Sequence, residues 1–157
     1  MPNPYDRLAE LGLSLLTPAT PIANYVPSTR VGNLLYLSGQ GPRDADGRLM
    51  IGKVGRDIGI EDAYAHARLT GLNLLSVAHQ VLGDLGRIVQ TVKLLGMVNA
   101  VPDFADHPAV INGCSDLFVD VLGAAGRHAR SAVGMGSLPG GISVEIEAIF
   151  EISGAAL

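Results

Sequence analysis

The sequence predicts an α+β fold in which two helices pack on one face of a mixed β-sheet. Three observations support this prediction. The segments follow the order ββαβαββ, the helical segments each have one apolar side, and the strand segments are short and rich in β-branched residues. A chain of 157 residues can bury a substantial core as one unit. We therefore predict a single domain over residues 1–157.

The N-terminal third is predicted to contain a short helix, an extended segment and a buried strand. Leucines at helical spacing favour a helix over residues 4–13, with an interruption at Gly12. Three prolines between residues 16 and 27 favour extended backbone. A turn at residues 31–33 leads into a short apolar run at 34–39, which is typical of a buried strand.

The remainder of the chain contains the longest regular patterns. Residues 61–83 form the strongest helical pattern, because small and apolar residues recur every three or four positions and Gly83 is a typical stop signal. The other predicted elements are a strand at 88–99, a helix at 109–123 and two strands at 130–138 and 142–152.

Composition excludes several functional classes. About half of the residues are apolar (48%), but no apolar run approaches the ~18 residues of a membrane span. The net charge of −4 and the scarcity of lysine and aromatic residues argue against a nucleic-acid partner. The N-terminus lacks the layout of a signal peptide, and the single cysteine, Cys114, excludes an internal disulfide. We expect a soluble cytoplasmic protein without nucleic-acid or membrane partners.

The most specific motif lies near the C-terminus. It consists of Arg-Ser-x-Val at 130–133, Leu-Pro at 138–139 and Val-Glu-Ile-Glu-Ala-Ile at 144–149. Two further landmarks precede it: an apolar strand that ends in Ser-Gly-Gln at 38–40, and Asp103-Phe104 followed by Asn112. Together they resemble the RidA/YjgF family, also called the endoribonuclease L-PSP family, and the resemblance covers most of the chain beyond about residue 22.

The resemblance implies a chorismate-mutase-like fold and a homotrimer with three sites at subunit interfaces. It also implies hydrolysis of reactive 2-imino acids or enamines to 2-keto acids and ammonia, without a metal or a cofactor. The four histidines are dispersed and show no spacing typical of a zinc site. The expected partner is therefore a small substrate that carries a carboxylate.

Within this family pattern, Arg130 is the candidate for binding the substrate carboxylate, because a guanidinium can donate two parallel hydrogen bonds. The alternative is a salt bridge within the chain or between subunits, for which Glu145 and Glu147 are the candidate partners. Glu145 matches the family's functional glutamate and is the candidate for positioning water, with an ordinary strand glutamate as the alternative. The resemblance further assigns substrate contacts to Tyr25, Ser38, Gly39 and Asn112, for which the alternatives are a packed tyrosine, a strand-ending turn and a helix cap.

The chain also departs from the family pattern. Ala132 stands where the family often has cysteine, Gly134 stands where it often has an acidic residue, and residues 1–20 form an N-terminal extension. His128 is expected to be a polar loop residue close enough to tune the site. These departures indicate a divergent branch, and they leave open a non-catalytic trimer that binds small carboxylates. Ribonuclease activity is disfavoured by the acidic charge and the absence of a basic patch.

Overall fold

A computed structural model describes residues 3–154 of the chain. These residues form one five-stranded sheet and three α-helices. The elements are α1 (Pro4–Glu10), β1 (Ser28–Val31), β2 (Leu34–Gln40), α2 (Ile60–Leu82), β3 (Ile88–Asn99), α3 (His107–Leu122), β4 (Ala129–Met135) and β5 (Val144–Ile152).

The sheet has the spatial order β1-β2-β5-β3-β4. β3 and β4 are parallel, and the other neighbours are antiparallel. α2 packs on β2 and β5, and α3 packs on β3 and β4. The predicted α+β fold and the order ββαβαββ are confirmed, with α1 as a third, short helix. The last two strands are shorter than predicted, because a 3-10 turn at Pro139–Gly141 separates them.

The packing of α2 follows from its small residues. The helix ends at Gly83, which has a left-handed φ of 76° and donates its backbone N–H to the His79 carbonyl. α2 and α3 approach closely at Gly113, where an added Cβ would lie 2.0 Å from the Tyr64 carbonyl oxygen. Small residues on both helices therefore set how near the helix axes come.

α3 begins two residues earlier than predicted, and this corrects the position of Asn112. Pro108 lies in the first turn of the helix, where its missing N–H costs nothing. Asn112 was expected at the helix start as a possible cap, but it lies in the helix interior and its side chain is exposed. Asp106 occupies the N-cap position without a side-chain cap bond.

By length and composition alone, α3 with its extension to Gly126 is long and apolar enough to cross a membrane. However, 56% of that stretch is buried inside the protein. Its buried residues, which include Cys114 and Phe118, belong to the main hydrophobic core. We therefore assign α3 as a core helix.

The two faces of the sheet differ in character. The face under α2 and α3 is lined by buried apolar residues: Leu94, Val98, Val144, Ile146, Ala148 and Phe150. Side chains on the opposite face, called here the open face, are partly or fully exposed: Lys93, Leu95, Met97, Glu145, Glu147 and Ile149. Alternation along each strand produces this division.

The N-terminal segment is bound to the body of the protein. The predicted helix over 4–13 is observed as the shorter α1, and Leu8 on this helix is buried. The Tyr5 hydroxyl lies 2.9 Å from His79 Nδ1 and accepts a hydrogen bond from the Leu85 N–H. Leu16 N–H donates to the Ser76 hydroxyl at 2.9 Å, so the segment continues along α2.

Candidate functional site

Arg130 lies on β4, an edge strand of the sheet. Its register partner is the buried Leu94, so its side chain lies on the helix-covered face. Arg130 Nη1 donates to Ser115 Oγ at 3.0 Å, and Nη2 donates to the Pro108 carbonyl at 3.3 Å. Both partners are neutral, and within residues 3–154 no carboxylate forms an ion pair with this guanidinium. The alternative of a salt bridge within the chain to Glu145 or Glu147 is therefore wrong.

The Arg130 side chain contacts one stripe of α3. Pro108, Asn112 and Ser115 follow one another at intervals of four and three residues, which places them on one side of the helix. Arg130 contacts the first and the last of these residues. Asn112 lies between them along the stripe, so the structure brings Arg130 and Asn112 to the same edge of the molecule. We call these two residues the edge group.

A hydrogen-bonded chain extends from Arg130 through Ser115 to His128. Ser115 Oγ lies 2.8 Å from His128 Nε2, and His128 Nδ1 lies 2.6 Å from the Gly126 carbonyl oxygen. A carbonyl only accepts, so Nδ1 carries the proton and Nε2 of the neutral ring accepts from the Ser115 hydroxyl. Burial lowers the pKa of His128, the bond to Gly126 opposes that effect, and the Arg130 charge lowers the pKa further. The neutral ring is therefore the favoured form at pH 7.

Glu145 lies on the open face, across the sheet from Arg130. Its register partner is Met97, which in turn pairs with Val133 on β4. The carboxyl group packs beside Gly39, where an added Cβ would lie 3.0 Å from Glu145 Cδ. Glu145 is partly buried and makes no hydrogen bond within the part of the chain that the structure describes. Burial raises the pKa of its carboxyl, and the charge of Glu147 raises it further.

Gly39 lies beside Glu145, and two further predicted residues, Tyr25 and Ser38, lie next to Gly39 or in the adjoining groove. Tyr25 and Gly39 line a cavity of about 280 Å³, and the tyrosine side chain is exposed. Ser38 lines a neighbouring groove of about 380 Å³ that also contains Glu147, and its hydroxyl donates to the Val26 carbonyl at 2.7 Å. We call Tyr25, Ser38, Gly39 and Glu145 the face group.

The predicted residues thus form two groups on opposite faces of the sheet. One chain cannot present the Arg130 guanidinium and the Glu145 carboxylate to one small ligand, because the sheet lies between them. A neighbouring copy of the chain would have to supply one of the groups. The edge group contains no carboxylate, and the face group contains no arginine or lysine, although Lys93 lines the groove beside Ser38.

The structure also explains the two departures in β4. Ala132 packs against the hydrophobic core. At Gly134 an added Cβ would lie 2.5 Å from His107 Nε2, so the imidazole occupies the space of a side chain. The His107 ring is held by an edge contact with Phe104, with ring centroids 5.0 Å apart. A side chain at position 134 would therefore have to displace the His107 imidazole.

Sequence reasoning missed Ser115 as a partner of Arg130. The available signal was the spacing of Pro108, Asn112 and Ser115 along a helix whose other sides are largely apolar. No group of three or more potential metal ligands occurs among residues 3–154. Cys114 is fully buried, and burial raises the pKa of its thiol far above the usual range, which confirms it as an apolar helix residue.

Comparison with known proteins identifies the family. The family model described as "YjgF/chorismate_mutase-like, putative endoribonuclease" matches residues 5–142. The chain belongs to the YjgF/RidA family. It is 40% identical over 148 residues to Protein TCP17 of Trypanosoma cruzi, covering 94% of this chain and 92% of that protein. The predicted family and its chorismate-mutase-like fold are confirmed.

Solved structures of the family differ in how closely they match. Atu1372 from Agrobacterium tumefaciens, of unknown function, is 49% identical with a TM-score of 0.88, covering 96% of this chain and 94% of that one. A Shewanella oneidensis endoribonuclease homologue is 34% identical with a TM-score of 0.93, and the match covers 96% of this chain and 100% of that one. RidA from Psychrobacter is 29% identical with a TM-score of only 0.60, and the match covers 86% of this chain and 93% of that one. The chain is thus closer in shape to the first two proteins than to RidA.

Proposed function

We propose that this protein hydrolyses reactive 2-imino acids or enamines to 2-keto acids and ammonia, as a cytoplasmic homotrimer with sites at its subunit interfaces. The family supports the reaction class, and the observation that carries the proposal is the partly buried Arg130 guanidinium with only neutral partners. A partly desolvated guanidinium is best satisfied by a planar anion that accepts two parallel hydrogen bonds. The carboxylate of a 2-imino acid has this geometry.

Glu145 would act as general base and general acid for the attacking water molecule. An enamine first tautomerises to the imine. Water then adds to the carbon of the C=N bond, the nitrogen leaves as ammonia, and the oxygen of the water remains as the keto oxygen. The carboxylate accepts the two protons of the water one after the other and passes each to the nitrogen. A raised pKa brings the carboxyl closer to the working pH, which favours both transfers. The group needs no metal for this role.

The separation of the two groups supports a site between copies. Arg130 lies at an edge strand, and Glu145 lies on an open face that also exposes apolar residues such as Met97 and Ile149. An assembly that packs the edge of one subunit against the open face of the next would bury this apolar surface. It would also bring the edge group and the face group together around one substrate.

A non-catalytic carboxylate-binding trimer is the second candidate. It is favoured by Ala132 and Gly134, which leave the β4 side of the edge group without an acid–base side chain. In this hypothesis Arg130 still binds the carboxylate, but the protein does not accelerate imine hydrolysis. The ribonuclease activity in the family's description is less favoured, because the chain has a net charge of −4 and only two lysines, Lys53 and Lys93.

The test is a coupled assay in which a flavin-dependent amino-acid oxidase generates 2-iminopropanoate and the release of pyruvate is followed. We expect the wild-type protein to accelerate release, and Arg130→Ala and Glu145→Gln each to remove about 10²-fold or more of that acceleration. Arg127→Ala is the matched control, because it removes an exposed arginine three residues away and should retain full activity. Full activity of Arg130→Ala would refute the mechanism. Pyruvate binding without acceleration would establish the second candidate instead.

A further inference from the structure

In the hydrogen-bonded chain that begins at the Gly126 carbonyl and ends at Arg130, the donor and the acceptor of every bond are fixed. The carbonyl fixes the tautomer of His128, the imidazole then accepts the proton of the Ser115 hydroxyl, and the oxygen lone pairs of Ser115 remain for Arg130 Nη1. Phe118 adds an edge contact to the imidazole, with ring centroids 6.3 Å apart. Each member therefore orients the next.

We propose that Ser115 and His128 are positioning residues that hold the Arg130 guanidinium in the orientation required to bind a 2-keto or 2-imino carboxylate. This inference rests on the proposed function, because it assigns Arg130 to the substrate carboxylate. Neither Ser115 nor His128 contacts the substrate in this assignment. Their effect reaches the substrate only through Arg130.

The number of donors supports this assignment. A guanidinium has five N–H donors, and α3 uses one on each Nη through Ser115 and Pro108. The remaining donors are free for an incoming carboxylate, since no described carboxylate pairs with this side chain. Without Ser115, only the longer 3.3 Å contact to the Pro108 carbonyl would remain. The side chain would then regain rotational freedom that must be lost on binding.

The geometry also resembles a nucleophile and its base, because a serine hydroxyl lies 2.8 Å from an imidazole whose other nitrogen is oriented. One observation favours positioning over nucleophilic attack. The Ser115 oxygen already accepts a hydrogen bond from Arg130 Nη1, and a cation that binds these lone pairs makes the oxygen a weaker nucleophile.

The experiment measures pyruvate binding by titration calorimetry together with KM and kcat in the coupled imine assay. We expect Ser115→Ala to weaken pyruvate binding and raise KM by roughly fivefold to tenfold, with kcat changed by less than about twofold. Ser115→Thr keeps the hydroxyl and should restore binding to within about twofold. His128→Phe should resemble Ser115→Ala, whereas His128→Gln retains an acceptor and should bind better than His128→Phe.

Ser137→Ala is the matched control, because Ser137 is exposed in the loop after β4. Native mass and melting temperature of each variant show whether it is folded, and His128→Phe replaces Ser115→Ala if the latter does not fold. Equal pyruvate affinity of a folded Ser115→Ala protein and the wild type would overturn the inference. Labelling of Ser115 by a fluorophosphonate would overturn it in favour of a nucleophile.

The outcomes separate this inference from the proposed function. If the wild type binds pyruvate but does not accelerate hydrolysis, the deaminase proposal fails and the binding series still decides the roles of Ser115 and His128. If the wild type accelerates hydrolysis and Ser115→Ala has an unchanged KM, the inference fails and the deaminase proposal stands. If the wild-type protein binds no 2-keto acid, then both carboxylate binding by Arg130 and the positioning role of Ser115 and His128 are refuted.

Discussion

Thr91 on β3 carries a hydroxyl that is buried under the helices. Its oxygen is the one buried side-chain polar atom without a hydrogen-bond partner in the described part of the chain. Thr91→Val removes this unsatisfied group with little change of shape, so we expect the free energy of unfolding to increase by about 1 kcal/mol. Urea denaturation measures the change. Thr29→Val, at an exposed position on β1, is the control and should stay within ~0.5 kcal/mol of the wild type; a less stable Thr91→Val protein would contradict the prediction.

His66 predicts a pH dependence of stability. Its Nδ1 lies 2.8 Å from the Ser143 hydroxyl, and burial lowers its pKa although Asp62 opposes the shift. The unfolded chain therefore binds more protons than the folded protein just below pH 6.5, the ordinary value for histidine. The stability contributed by neutral His66 is full above pH 6.5 and is lost as the pH falls through the folded pKa.

We accordingly expect His66→Gln to lose less thermal stability than the wild type between pH 7.5 and pH 5.5. Melting temperatures followed by circular dichroism at both pH values provide the measurement. Above pH 7.5 the two proteins should show parallel pH dependence, because His66 is neutral in both the folded and the unfolded state. A steeper acid loss in the variant would contradict the sign of the effect.

At the scale of elements, the close contact between α2 and α3 limits most strongly which residues the packing tolerates. A methyl group at Gly113 would overlap the Tyr64 carbonyl, and backbone cannot move aside as a side chain can. We expect Gly113→Ala to lower the free energy of unfolding by ~2 kcal/mol or more, despite the better helix propensity of alanine. Gly136→Ala is the control, since nothing lies within 4 Å of an added Cβ there, and similar losses in both variants would contradict this account. Urea denaturation compares the two.

The elements themselves were largely predictable from the sequence, because their signals are local. Apolar spacing and the glycine stop predicted α2 to within one residue at each end, and β-branched residues predicted β3. The apolar spacing predicts the start of α3 two residues late, at residue 109, because Pro108 carries no helical signal of its own. A proline is compatible with either a loop or a first helical turn.

The arrangement of the site was less predictable, because it depends on register and packing. Arg130 and Glu145 are fifteen positions apart, but a 3-10 turn interrupts the alternation between their strands. The face of each side chain is therefore fixed by pairing with β3, which sequence spacing does not encode. The contact of Ser115 with Arg130 likewise arises only when α3 packs on β4.

For the whole molecule, we expect native mass spectrometry to give three times the chain mass. Leu95→Glu adds a charge on the open face next to Glu147 and should dissociate the trimer and abolish imine hydrolysis, while far-ultraviolet circular dichroism stays unchanged. Leu11→Glu, at an exposed position directly after α1, is the control and should remain trimeric, because α1 packs against α3 in the helix layer. A monomeric wild type would contradict both the assembly and a site shared between copies.

The position of β5 has a consequence for how the chain acquires its fold. The hairpin of β1 and β2 joins the rest of the sheet only through β5, and Leu35 pairs with Phe150 near the other end of the chain. Contacts so distant in sequence slow folding, because a large loop must close before they can form. During synthesis, the edges of β2 and β3 that later pair with β5 are complete long before their partner emerges. Until then both edges can capture strands of other chains, so newly made protein should be most prone to aggregation just before β5 is added.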